Sequence, residues 1–203
     1  LMMSDLTFTK VADLPIVHIQ NFYSPDELEK IMNELEYLYS IDRYKGAEED
    51  GGPGTAYEDG KALKVGKGLH LNVVYDDVKQ SDILNINRKL FDKNLMDSLM
   101  YKHPFFRYLW RSNRDETKIH YFENGDHYRP HTDDCVITAI TWFYKEPKMF
   151  TGGDLIIEKA VKFPCLNNTT VIFPSILYHE VTAVVMENLS GLGRYSMSQF
   201  LYM

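Results

Sequence analysis

The residues with the clearest chemical meaning are His131-Thr132-Asp133. Side chains at i and i+2 of an extended segment point to one face, so an imidazole and a carboxylate converge there. Two ligands hold a transition metal poorly, and His179 is the best candidate for a third. It follows Val171-Ile172-Phe173-Pro174-Ser175, which reads as a buried strand ending in a turn, and precedes Glu180-Val181-Thr182-Ala183-Val184. A polar residue at a strand end amid apolar sequence needs a reason to be there. Two imidazoles and one carboxylate on one octahedral face leave three positions open, the donor set that suits non-haem Fe(II). Zn²⁺ could use the same donors, and an HxD on its own is a weak signal.

Arg194-Tyr195-Ser196 begins fifteen residues after His179. An inward Arg with a Ser beside it can clamp a carboxylate, the Arg bidentately. A 2-oxo acid that chelates a metal at one end needs such an anchor at the other. Fe²⁺ with one Asp carries +1, a dicarboxylate brings this to −1, and Arg194 returns it to neutral. A buried Arg without such a partner is costly. The remaining histidines are weaker candidates. His127 and His131 are four apart, but Pro130 disfavours a helix between them. His120 reads as a core or rim residue, and His18, His70 and His103 default to structural roles.

The elements that must position these groups fall into two halves. Residues 14–21 (LPIVHIQN) read as a short strand. Ser24-Pro25-Asp26-Glu27 supplies an N-cap, Pro in the first turn and acids at the positive helix end. Leu28, Ile31, Met32, Leu35 and Leu38 then recur at helical spacing, predicting a helix to about Tyr39. Residues 46–60 (GAEEDGGPGTAYEDG) form a loop, either a solvated connection or a flap over the site. A further strand is expected over 67–75 and a second helical stretch over about 81–100. From Thr117 onward the texture turns to short β-branched runs at 118–123, 135–145, 154–159, 169–173, 180–185 and 194–202. Asn124-Gly125, Gly152-Gly153 and Gly191-Leu192-Gly193 punctuate them. The fold class is therefore α+β, with helix-rich support over about 14–112 and a β-rich sandwich or jelly roll over about 117–203.

The chain has 203 residues, 44% hydrophobic and 25% charged, which suits one globular domain. A net charge of −7 with no basic block disfavours nucleic acid and anionic membrane as partners. No apolar run approaches the roughly 18 residues that span a bilayer. The two cysteines, Cys135 and Cys165, offer neither a disulfide framework nor a CxxC metal spacing. Nothing resembles a signal peptide, so the expected location is cytoplasmic.

In order along 118–201, the residues resemble the prolyl-4-hydroxylase-like 2-oxoglutarate/Fe(II) oxygenases. The stretch 119–133 (IHYFENGDHYRPHTD) is similar to that family's Tyr…Gly…Tyr…HxD entry segment. Phe150-Thr151-Gly152-Gly153-Asp154-Leu155 resembles its aromatic-x-Gly-Gly-x-Leu hairpin, 171–184 its distal-histidine segment, and Arg194-Tyr195-Ser196 its Arg-x-Ser. The resemblance implies a double-stranded β-helix with N-terminal supporting helices and Fe(II) bound by His131, Asp133 and His179. It implies 2-oxoglutarate held at its C5 carboxylate by Arg194 with Ser196, Tyr121 hydrogen-bonded to the co-substrate, and Tyr128 lining the pocket. Activity would consume O₂, release succinate and CO₂, and hydroxylate an unactivated C–H, with ascorbate as a candidate reductant. Two features depart from the pattern. Trp142 stands where some members carry a Tyr, and 186–193 lengthens the His179–Arg194 interval.

The oxidised substrate is read by analogy as a prolyl or other residue in a peptide or protein, with a free amino acid or small metabolite as the alternative. The acidic Glu48-Glu49-Asp50 would favour a cationic peptide, or is simply a solvated loop. Two other classes remain open: a Zn-dependent hydrolase, which leaves Arg194 unexplained, and a non-catalytic jelly-roll binding module. The sequence is silent on oligomeric state.

Overall fold

The structure, a computed structural model, describes residues 6–9, 11, 13–187 and 190–203. Its frame is two antiparallel sheets. The large one has eight strands in the order Leu6–Thr9, Ile16–Ile19, Thr169–Pro174, Ile137–Phe143, Arg194–Tyr202, Arg114–Phe122, Lys67–His70 and Lys45–Gly46. The small one has five, in the order Val161–Phe163, Leu155–Ile157, His179–Val181, His127–His131 and Lys64–Val65. All pairings are antiparallel. Together they make a jelly-roll sandwich backed by helices, the α+β class expected from the sequence.

The period-2 pattern of the central strands divides two cores. Ile119, Tyr121, Ile137, Ala139, Phe143, Tyr195 and Met197 face the helices and pack with Ile31, Leu35 and Leu38. Their neighbours Phe122, Ile140 and Trp142 face inward and pack with Leu155, Ile157, Val171, Phe173 and Val181. Alternate residues of one strand thus belong to different layers.

The helix Pro25–Ser40 begins at the expected place. Ser24 Oγ accepts from Glu27 N while Glu27 Oε2 accepts from Ser24 N, a capping box. Its buried stripe of Ile31, Leu35 and Leu38 covers the large sheet. Two expectations require correction. The run 81–100 is not one helix: Asp82–Ile86 passes into a 3-10 turn at Asn87–Phe91, and Lys93–Lys102 starts anew. Asp92 causes the break, because its ψ of 130° is non-helical and its carboxylate caps Leu95 N. Likewise the strand at 67 stops at His70, and Leu71–Val73 turns as a 3-10 helix.

The N-terminal half also contributes strands to both sheets. Lys64–Val65 joins the small sheet beside His127–His131, and Lys67–His70 joins the large one beside Arg114–Phe122. Among the described residues, no helix is long and apolar enough to cross a membrane.

Candidate active site

His131 ends its strand and His179 begins the neighbouring one, and the two are register partners. Their rings lie 4.3 Å apart between centroids. Asp133 lies just past the strand end, where its N–H donates to Ser175 O. Its carboxylate stands 3.7 Å from His131 Nε2 and 3.3 Å from His179 Nε2. One donor atom from each of the three residues lies within 4.8 Å of the other two.

Both imidazoles are oriented by the backbone. Each Nδ1 lies against a carbonyl two residues back, His131 on Arg129 O at 2.8 Å and His179 on Leu177 O at 2.9 Å. A carbonyl can only accept, so Nδ1 carries the proton and the Nε2 lone pairs are left facing Asp133. Burial, reinforced by neighbouring His179, lowers the His131 pKa to about 4, keeping the ring neutral and able to ligate. Thr138 Oγ1 donates to Asp133 Oδ2 at 2.7 Å and lies 2.9 Å from Ser175 Oγ. Tyr128 stacks on His131 at 3.5 Å between centroids.

The triad opens onto a cavity of about 190 Å³ between the sheets. On the large sheet it is lined by Lys118, His120 and Phe122 from one strand and by Arg194, Ser196, Ser198, Phe200 and Tyr202 from the next. Arg194 is fully buried. Its Nε donates to Gly153 O at 2.8 Å and Nη1 to Ser196 Oγ at 3.1 Å. No carboxylate among the described residues lies within ion-pairing distance of it. A buried guanidinium held by neutral acceptors and facing a cavity has the donors and charge to take a carboxylate. Trp142, paired in register with Ser196, is also buried, and its Nε1–H has no hydrogen-bond partner in the described protein.

Donor set, tautomers and cavity fit a ferrous ion, and the guanidinium at the far end fits a dicarboxylate. Residues 117–202 match the model of the 2OG-Fe(II) oxygenase superfamily. These residues form a 2OG-Fe(II) oxygenase domain. The oxygenase is 26% identical over 181 residues to a PKHD-type hydroxylase of Crocosphaera subtropica, covering 83% of this chain and 72% of the relative. Its fold is similar to that of a prolyl-4-hydroxylase from Pseudomonas putida, with a TM-score of 0.64 at 15% identity over 94% of both chains. A prolyl hydroxylase from Trichoplax adhaerens, solved with a hypoxia inducible factor peptide fragment, gives 0.62 at 13% identity. That match covers 94% of this chain and 84% of the other. The oxygenase is thus a dioxygenase that uses Fe(II) and 2-oxoglutarate.

One expected contact needs correction. Tyr121 points away from the cavity, because on an alternating strand His120 and Phe122 occupy the inner face. Its hydroxyl donates to Glu123 Oε1 at 2.8 Å and accepts from Gly193 N at 3.1 Å, within an aromatic cluster with Tyr39, Tyr44 and Tyr195. Tyr128 does line the cavity, and its hydroxyl accepts from Ala56 N at 2.9 Å. Through that bond, part of the 46–60 loop borders the site: Gly54, Thr55 and Ala56 all line it. The interval 186–193 includes residues 188 and 189, which lie outside the described residues.

Sequence reasoning missed Lys64, Lys118 and Thr138 as cavity residues and placed His120 only in the core or at the rim. The alternation from Phe122 back through His120 to Lys118 was the available signal. Lys64 carried none, because its strand has two residues and pairs at long range with Tyr128.

Proposed function

We propose that this oxygenase hydroxylates an unactivated C–H of a prolyl or other residue in a peptide or protein. His131, Asp133 and His179 hold its iron, and Arg194 with Ser196 holds the C5 carboxylate of 2-oxoglutarate. The observation that carries the reading is the convergence of two Nε2 atoms and the Asp133 carboxylate opposite a buried Arg194 with no carboxylate partner. The oxygenase's likeness to a PKHD-type hydroxylase and to two prolyl hydroxylases supports a peptide-residue substrate class. The relatives lend the substrate class only by analogy.

Bound at the triad, Fe(II) with 2-oxoglutarate supplies O₂ activation, the co-substrate leaving as succinate and CO₂ while the substrate C–H becomes C–OH. The chain's own residues do the rest. Arg129 and Leu177 carbonyls fix both imidazoles as neutral Nδ1–H tautomers, and Thr138 holds Asp133 in place. Arg194 fixes the far end of the co-substrate, so that end is oriented before reaction. Phe122 and Ile140 give the cavity apolar wall beside the triad, and the segment 54–56 borders it. A Zn-dependent hydrolase would need the triad but not Arg194.

We take the chain as one domain, acting in the cytoplasm with ascorbate as a reductant. Its two free cysteines agree with a reducing compartment. The test is succinate release from 2-oxoglutarate with a panel of proline-containing peptides and free amino acids. Release that requires both Fe(II) and O₂ and is stimulated by peptides is expected. Full turnover in chelated protein overturns the iron assignment, and stimulation by free amino acids alone overturns the peptide assignment.

A further inference from the structure

The cavity carries more positive charge than the triad and its co-substrate use. Lys118, His120 and Phe122 face it in alternation, and in register these pair with Ser198, Ser196 and Arg194. Lys118 therefore stands four residues from Arg194 along the sheet, roughly 13 Å at strand rise. Phe200 and Tyr202 lie beyond it on the neighbouring strand. Arg194 occupies one end of the cavity and Lys118 the other.

Lys64 enters from the opposite wall, between Lys118 and the triad, beside His120 and over the Tyr128 ring. It is only 6% exposed, and its Nζ donates to Gly54 O at 2.7 Å and His120 Nε2 at 3.0 Å. His120 accepts that bond as a neutral imidazole, since burial and the nearby Lys64 and Lys118 hold its pKa well below the usual value. Burial, with Lys118 close by, lowers the Lys64 pKa to about 7. Neither lysine has a carboxylate within ion-pairing distance among the described residues. The acids that line the cavity are Asp133, opposite the imidazoles, and Asp134, exposed at the rim.

The charge balance is uneven. Fe²⁺, Asp133, the 2-oxoglutarate dianion and Arg194 sum to neutral, which leaves Lys64 and Lys118 uncompensated in a protein of net charge −7. Keeping an ammonium buried without an anion is costly. The acidic loop does not balance them: Glu48 accepts from Tyr57 Oη and Glu49 from Gly46 N, and neither lines the cavity.

We infer that Lys118, with Lys64 beside His120, forms the anion-binding subsite of the primary substrate, which presents a carboxylate on the Lys118 side of the cavity. This rests on the oxygenase reading above and narrows its substrate. Substrates with a carboxylate near the oxidised carbon are accepted, and a cationic peptide is not. The carboxylate has two possible sources, the free terminus of an amino acid or an acidic side chain beside the target residue.

The test is equilibrium binding to the Fe(II)- and 2-oxoglutarate-loaded protein without oxygen, using two matched probe pairs. N-acetylproline against N-acetylprolinamide reads the free terminus. The capped dipeptides Asp-Pro and Asn-Pro, acetylated and amidated, read the side chain. At least tenfold preference for the acid member of one pair is expected, and that pair identifies the source. K118M, at a half-exposed position, should abolish the preference, and K64M should do the same. No preference in either pair, including no binding of any probe, overturns the inference. A preference that survives K118M and K64M also overturns it, as does a loss that tracks weakened 2-oxoglutarate binding titrated on the same variants. Failure of Fe(II)- and O₂-dependent succinate release in the wild type would overturn the oxygenase reading instead.

Discussion

Arg194 lies against the backbone of Gly153 so closely that a β-carbon there would stand 2.5 Å from Arg194 Cδ. Gly153 also has φ +68°, a conformation L side chains rarely adopt. Its carbonyl is the acceptor that orients Nε. G153A should therefore shift the guanidinium. The half-saturating concentration of 2-oxoglutarate in succinate release should rise at least tenfold. Strain of about 1–3 kcal/mol should also appear in denaturant unfolding. An unchanged co-substrate affinity would remove Arg194 from the anchor role.

Thr138 acts on Asp133 through a single hydroxyl. T138V keeps the shape and deletes the donor, and partners of this kind contribute about 10–100-fold to metal affinity. Competition with a chelator should show Fe(II) binding weakened by about that factor. D133N should lower it further.

The two tyrosines separate the inner from the outer face of the sheet. Y128F deletes the acceptor for Ala56 N but keeps the ring stacked on His131, so it should loosen the 54–56 segment and raise the substrate KM severalfold. Y121F strips buried partners from Gly193 N and Glu123 on the helix-facing side. It should lower stability by about 1–2 kcal/mol with 2-oxoglutarate affinity unaffected. A large rise in 2-oxoglutarate KM for Y121F would falsify the assignment of that side chain to the outer face.

Stability of the metal-free protein should fall with acid earlier than its carboxylates require. Burial lowers the pKa values of His18, His70, His120 and His131, the last to about 4. Below the ordinary value of about 6.5 the unfolded chain binds protons that the folded chain refuses. The histidine contribution to stability is thus full above about pH 6.5 and is lost as pH falls toward 4, His131 alone accounting for the order of 3 kcal/mol. Thermal melts of chelator-treated protein across pH 4–8 check this, and a flat profile between 6.5 and 5 would contradict it.

Much of this protein was legible in one dimension because the relevant spacings are short. The capping box at Ser24 and Glu27, the spacing of His131 and Asp133, and the alternation in 137–143 and 194–202 are local patterns. Backbone geometry converts such patterns directly into faces. Arg194 and Ser196 share a face for the same reason, and the Gly152-Gly153 hairpin reads as a turn from composition.

Tertiary structure decided what depends on pairings across the chain. The family resemblance puts Tyr121 beside the co-substrate, yet the register of Arg114–Phe122 with Arg194–Tyr202 turns it outward and His120 inward. The helical periodicity of 81–100 held, but one cap at Asp92 divided it. Lys64 sits in a two-residue strand, and only its pairing with Tyr128 and its approach to His120 bring its ammonium into the cavity. The pairings of His131 with Asp133 and of Arg194 with Ser196 were legible in the sequence because period-2 spacing sets which side chains share a face. The cationic wall that narrows the substrate was not, because inter-strand register, and not spacing, sets which strands share a cavity.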